Sequence, residues 1–275
     1  MKLGVRAHDF GRYTADALAE MIKKEGFECV QLAPAKAITG IERIADINAA
    51  HLEEIKSAFT RYDLGIAVLG CYIEPSIDDE AARLENVRIF CDNLRHAKVI
   101  GAGVVGTETT RMDTKAPAEE REKAYARLKD SVLRMVEVAE NVGVPIGIEP
   151  VAEHTLNTPE LTRRLLDEVK SSQLRLIFDP ANLLLPETVH EQGRIFTEMF
   201  ELNGNDIAVM HIKNIVIENG EKIWSNIAKG VIDYAPVFAW LRENTPQMTL
   251  LCDQVRMDSY KEDLNTLRDY ATGMF

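Results

Sequence analysis

Two kinds of segment alternate along the chain. The first is short, apolar and rich in β-branched residues, at 3–5, 29–32, 65–69, 103–106, 145–149, 174–179, 207–211 and 248–253. Most of these runs are continuously apolar, as expected for strands buried on both faces of a parallel sheet. The second kind repeats apolar residues at helical spacing, at 14–25, 52–62, 80–100, 117–142, 159–169, 190–202, 233–243 and 259–270. In the first of these, Ala17, Leu18, Met21 and Ile22 share a face between a capping Thr14 and Gly26. The helix at 159 opens on Thr158-Pro159-Glu160, a cap followed by proline at the first helical position.

Eight strands and eight helices in strict alternation imply parallel strands joined by right-handed crossovers. No Pro/Gly/Ser-rich linker divides them, so residues 1–275 read as one domain, a single (β/α)8 TIM barrel. A doubly wound open sheet fits less well. Its glycine-rich phosphate fingerprint is missing after the first strand, where Arg6-Ala7-His8-Asp9-Phe10-Gly11 stands instead. The stretch 216–230 after the seventh strand reads as a long loop, with Trp224 as a candidate lid over the barrel mouth.

Chemistry in such barrels gathers at the carboxyl ends of the strands. Four strands end in a side chain that is costly to leave unpaired there. The fifth ends Ile148-Glu149-Pro150, the sixth Phe178-Asp179-Pro180, the seventh Met210-His211-Ile212-Lys213 and the eighth Cys252-Asp253-Gln254. Each has an ordinary structural reading alone: a rim salt bridge, a turn cap, a core histidine, an amide acceptor. Together they place three carboxylates and an imidazole on one half of the mouth. Carboxylates so close need a cation or a shared proton. Three oxygens and one nitrogen suit one divalent ion and do not choose among Mn²⁺, Mg²⁺, Co²⁺ and Zn²⁺; Mn²⁺ is the cofactor expected.

Charge narrows the partners. The chain carries 32 Lys and Arg against 44 Asp and Glu, a net charge of −12. That balance argues against nucleic acid and against anionic membrane surfaces. The longest apolar run, 66–73, is too short to span a bilayer. Four widely spaced cysteines form no CxxC pair and read as reduced thiols, and the first residues lack a signal-peptide pattern. A cytoplasmic protein is therefore expected.

Beyond these residue-level arguments, the chain resembles the sugar-phosphate isomerase/epimerase superfamily, the xylose-isomerase-like TIM barrels. The carriers are Ile148-Glu149-Pro150, Ile177-Phe178-Asp179-Pro180-Ala181-Asn182-Leu183-Leu184, His211-Ile212-Lys213-Asn214 and Gly230-Val231-Ile232-Asp233-Tyr234. Leu69-Gly70-Cys71-Tyr72 and Gly103-Val104-Val105-Gly106-Thr107-Glu108-Thr109 resemble the family's third and fourth strand ends. The resemblance implies one divalent metal held by Glu149, Asp179, His211 and Asp253, with Glu149 and Asp253 as the acid–base pair on opposite faces of a sugar. Asp253 is a methylene shorter than the family's usual glutamate, which leaves Gln254 as an alternative ligand. Glu108, His154, Asn182 and Lys213 are the candidate substrate-binding residues.

The expected reaction is metal-dependent isomerisation or epimerisation of a small sugar or sugar derivative, by proton abstraction next to a carbonyl. A dehydratase of the inosose-dehydratase type, or an inactive sugar-binding relative, is the alternative. A DNA-repair endonuclease of the same superfamily fits poorly, because its three-metal site needs many histidines and this chain has six. A homo-oligomer is also expected from the resemblance.

Overall fold

A computed structural model describes residues 1–272, so residues 273–275 of the expected 1–275 domain lie outside the described residues. The strands are β1 (Lys2–Arg6), β2 (Cys29–Leu32), β3 (Gly65–Gly70), β4 (Val104–Glu108), β5 (Ile146–Glu149), β6 (Leu174–Phe178), β7 (Ile207–Ile212), β8 (Asn214–Glu218), β9 (Glu221–Ser225) and β10 (Thr249–Cys252). The helices are α1 (Ala15–Lys24), α2 (Pro34–Ala37), α3 (Ala49–Arg61), α4 (Glu80–Ile100), α5 (Ala118–Val142), α6 (Pro159–Val169), α7 (Gln192–Asn203), α8 (Ala235–Asn244) and α9 (Tyr260–Tyr270). Strands β1 to β7 and β10 close into a barrel in chain order, with β10 between β7 and β1. Every neighbouring pair in it is parallel. This is the expected (β/α)8 barrel.

Local signals hold the helix ends where the sequence puts them. Thr14 Oγ1 accepts from the Ala17 N–H, and Thr158 accepts from Leu161, each satisfying an otherwise orphaned first-turn donor. The apolar surface separates into two layers. Most of the core lies between the strands and the helices. A second cluster, Cys29, Val68, Val104, Ile177, Val209 and Leu251, fills the inside of the barrel. Gly106 and Gly147 leave the room that Ile177 occupies: a Cβ on Gly106 would fall 2.8 Å from Ile177 Cδ1, and one on Gly147 3.0 Å from it.

Two features depart from the sequence reading. Pro34–Ala37 forms one extra helical turn after β2. The stretch read as a long loop contains the antiparallel hairpin β8–β9, with Asn214 facing Ser225 and Ile215 facing Trp224. Its turn is Asn219-Gly220, both at positive φ (52° and 80°), as a two-residue type I′ connection requires. Asn214 fastens the chain that follows. Its amide donates to the Ile227 and Ile232 carbonyls and its Oδ1 accepts from the Ile215 and Ile232 N–H groups. Gly230 packs so tightly there that a Cβ would lie 2.0 Å from the Asn214 side chain.

Candidate metal centre at the barrel mouth

Strand geometry decides which residues reach the mouth. Side chains alternate faces with a period of two, so a residue two positions beyond an interior plug residue also points inward, one layer higher. Cys29, Ile177, Val209 and Leu251 of the interior cluster therefore lead to Gln31, Asp179, His211 and Asp253. Gly147 leads to Glu149, and His211 leads on to Lys213 in the same way. All six of these polar side chains are buried.

Three of them converge. Glu149, Asp179 and His211 each offer a ligand atom, and these atoms lie within 4.8 Å of one another. His211 Nδ1 stands 3.4 Å from Glu149 Oε2 and 3.7 Å from Asp179 Oδ2. The remaining atoms of each residue are already engaged. Asn182 Nδ2 donates to Glu149 Oε1 at 2.6 Å, and the Asn182 N–H donates to Asp179 Oδ1 at 3.0 Å. His211 Nε2 lies 2.7 Å from Gln31 Oε1, which can only accept, so Nε2 carries a proton. The neutral tautomer then has its lone pair on Nδ1, turned toward the two carboxylates.

That arrangement fits a divalent cation. His211 Nδ1 and Asp179 Oδ2 are buried and make no aligned hydrogen bond. Charge points the same way. Among the described residues, the carboxylates Asp9, Glu149, Asp179 and Asp253 form ion pairs with two permanent cations, Arg6 and Lys213, which leaves two negative charges unpaired by Lys or Arg. Glu149, Asp179 and His211 would hold the ion, and a mixed carboxylate–imidazole set suits Mn²⁺, Zn²⁺ or Co²⁺.

Without a metal the same charges are met by protons and by lysine. Burial opposes the imidazolium of His211, but Glu149 and Asp179 outweigh it and push its pKa up to about 10. Burial likewise opposes the Asp179 charge, yet Lys213 and His211 hold its carboxyl well below the usual range. Lys213 Nζ is 2.8 Å from Asp179 Oδ2 and 2.9 Å from Asp253 Oδ2.

Asp253 stands outside the three-residue cluster. Its Oδ1 meets Arg6 Nη1 at 2.6 Å and the Gln254 N–H at 2.8 Å, and its Oδ2 meets Lys213. Against the cost of burial, Lys213 and Arg6 hold its carboxyl below the ordinary value. Gln254 lines the cavity above, at a left-handed φ of 58°.

That cavity has a volume of about 560 Å³ and is walled by Glu108, His154, Asn182, Lys213, Lys222 and Trp224, among others. Such a volume suits a small polar ligand. All four expected substrate-binding residues reach it. His154 Nε2 lies 3.7 Å from Glu108 Oε2. Burial, then the Glu149 carboxylate on the adjacent strand, pushes the Glu108 pKa up to about 7. Burial lowers that of His154. Trp224 is on the hairpin strand β9, 40% exposed, with its ring 4.4 Å from Lys213 Nζ.

Sequence reasoning missed Gln31 and Arg6. Gln31 is a lone polar residue in an apolar strand, in phase with the interior plug. Arg6 ends the first strand and also pairs with Asp9.

Fold and site together define a parallel (β/α)8 barrel with a buried carboxylate–imidazole cluster at its carboxyl-terminal mouth. The chain belongs to the xylose isomerase-like TIM barrel family, whose model matches residues 16–270. Solved structures with the same fold include the 3-keto-D-glucoside 4-epimerase YcjR from E. coli, 18% identical over 98% of this chain and 99% of that one, with a TM-score of 0.78. The IOLI protein with a bound zinc atom is 18% identical over 100% and 99% of the two chains, with a TM-score of 0.77. The probable 3-DHS dehydratase AsbF from Bacillus anthracis is 15% identical over 99% of each chain, with a TM-score of 0.73. No curated protein matches the sequence. Among the described residues, no helix is long and apolar enough to cross a membrane.

Proposed function

We propose that the protein is a divalent-metal-dependent isomerase or epimerase of a small sugar or sugar derivative, acting by proton abstraction next to a carbonyl. The observation that carries this reading is the convergence of Glu149, Asp179 and His211, buried directly behind Asn182 and Lys213, which touch Glu149 and Asp179 and line a polar cavity. A divalent ion bound there would withdraw charge from a substrate carbonyl and make the adjacent C–H acidic.

The chain's own residues supply the rest. Glu149 is the base, with Asn182 fixing one oxygen so that the carboxylate keeps a single orientation. Asp253 is the candidate partner on the opposite face. Its ion pairs with Arg6 and Lys213 keep it ionised and weaken it as a base, which favours chemistry with Glu149 as the principal base. Lys213, His154 and Glu108 offer hydrogen bonds to substrate oxygens, and Trp224 flanks the opening.

One observation favours a second reading, dehydration. Burial and the neighbouring Glu149 carboxylate push the Glu108 pKa up to about 7, and Glu108 faces the same cavity. A carboxyl whose pKa is raised this way can protonate a departing hydroxide after Glu149 has removed the proton alpha to the carbonyl, so that water leaves and a double bond remains.

Both readings are tested by incubating metal-loaded protein in D₂O with a panel of ketoses, keto-sugar acids and inososes. Isomerisation or epimerisation places deuterium on the carbon next to the carbonyl in the product. Dehydration releases an enone that absorbs in the ultraviolet. Glu149→Ala is expected to abolish either activity with the barrel intact, and full activity in that variant refutes the assignment.

A further inference from the structure

Lys213 is an unusual residue to find at the floor of such a site. Its side chain is 4% exposed, less than most apolar residues on the cavity rim. Its ammonium reaches Asp179 Oδ2 and Asp253 Oδ2 at nearly equal distances and lies under the Trp224 ring. The backbone cannot easily withdraw. The buried Tyr234 hydroxyl donates to the Lys213 carbonyl at 2.5 Å and accepts from the Lys213 N–H at 3.3 Å.

Asp179 Oδ2 is the oxygen that this carboxylate turns toward His211, and it is also the oxygen that faces Lys213. Asp253 stands outside the cluster and has each oxygen on a permanent cation, Oδ1 on Arg6 (and on the Gln254 N–H) and Oδ2 on Lys213. We propose that Lys213 is a resident counter-cation of the metal centre. Its ammonium shares Asp179 Oδ2 with the divalent ion and keeps Asp253 out of the coordination sphere. The ion is thereby limited to three protein ligands, and its affinity is held down. The proposal rests on the metal reading above.

The physical basis is simple. Two cations on one buried oxygen repel, and burial leaves that repulsion poorly screened. A neutral residue at 213 removes the repulsion and frees Asp253 Oδ2 on the same side of the site. The Trp224 ring, 4.4 Å from the ammonium, reports on any change in charge or position of Lys213 when a metal binds. The other tryptophan, Trp240, stacks on Phe200 and takes no part in lining the cavity.

The test is a Zn²⁺ titration of chelator-treated protein, followed by calorimetry and by tryptophan emission. Lys213→Met and Lys213→Gln are compared with wild type and with Lys213→Arg. Glutamine retains a hydrogen-bond donor for the two carboxylates, which provides a folded neutral variant if methionine is not tolerated. The neutral variants are expected to bind one Zn²⁺ at least tenfold more tightly than wild type, and the arginine variant to stay within about threefold of it. Wild-type emission is expected to change in step with the first equivalent of Zn²⁺, and Trp224→Phe to lose that change.

Neutral variants that bind with wild-type affinity or more weakly overturn the proposal, as does emission that ignores the first equivalent. If wild type and all variants bind no Zn²⁺, the metal centre itself is refuted and the proposal falls with it. Tight, equal binding by all of them refutes only the role of Lys213.

Discussion

Asn182 touches both carboxylates of the candidate centre, and its removal separates positioning from ligation. Its side-chain amide donates to Glu149 Oε1 at 2.6 Å, while its backbone N–H donates to Asp179 Oδ1. Asn182→Ala deletes the first bond and keeps the second. Glu149 then gains rotameric freedom, and its Oε1 loses a donor in a buried setting. Removing a partner that orients a metal ligand typically weakens metal affinity by about 10- to 100-fold, or roughly 1.4 to 2.7 kcal/mol. Global stability is expected to change by about 1 kcal/mol, because Asn182 is only half-buried and its backbone bond survives. The assay is a Mn²⁺ or Zn²⁺ titration by calorimetry, with a urea denaturation curve on the same preparations. A dissociation constant within twofold of wild type would refute the argument that Glu149 is a ligand held in place by Asn182. A large loss of stability with no change in affinity would assign Asn182 to the fold alone.

Three further outcomes follow from the same structure. His211, with a pKa of about 10 in the metal-free site, has to lose its proton to bind a metal; between pH 7 and 9 loading should release about one proton per ion, and each unit of acidification should raise the apparent Kd about tenfold. Calorimetry in Tris and in HEPES reads that proton, and a heat independent of buffer contradicts it. Gly230→Ala puts a methyl 2.0 Å from the Asn214 side chain, so it should cost about 1–3 kcal/mol, and an unchanged denaturation midpoint contradicts the packing. His8 is held down to about 4 by burial, then by Arg6 and Lys36, whereas the unfolded chain titrates near the ordinary value of 6.5. From pH 6.5 down to 4 the unfolded chain therefore takes up a proton that the native protein refuses, and stability falls by about 1–3 kcal/mol across that window. His8→Gln should lose this part of the acid sensitivity, and identical pH profiles for variant and wild type would rule it out.

Much of the barrel was legible because its strands are apolar on both faces, which the chain can achieve only between other elements. The cluster was legible for a related reason. A charge that ends such a strand, two residues after a plug residue, has nowhere to point except the mouth. Glu149, Asp179 and His211 are such strand-end residues; Gln31, a neutral amide two residues after Cys29, and Arg6 at the end of the first strand went unread because an amide inside an apolar run and an arginine at a strand end look ordinary in isolation. The hairpin had a signal as well, in Ile215, Ile217 and the Asn219-Gly220 pair. What the sequence does not carry is distance across the barrel. Asp253 has the right residue type at the right strand end, and only the three-dimensional arrangement pairs it with Arg6 and Lys213 instead of bringing it into the cluster.

The proposed chemistry depends on a metal held by Glu149, Asp179 and His211. The direct measurement is elemental analysis of gently purified, untagged protein, wild type beside Asp179→Asn, with folding of both checked by circular dichroism. One equivalent of Mn, Zn, Co or Mg in wild type, lost in the folded variant, is the result predicted. No metal in either protein, even after incubation with Mn²⁺ and Zn²⁺, would contradict the account and leave the cluster a purely structural network of carboxylates, imidazolium and lysine.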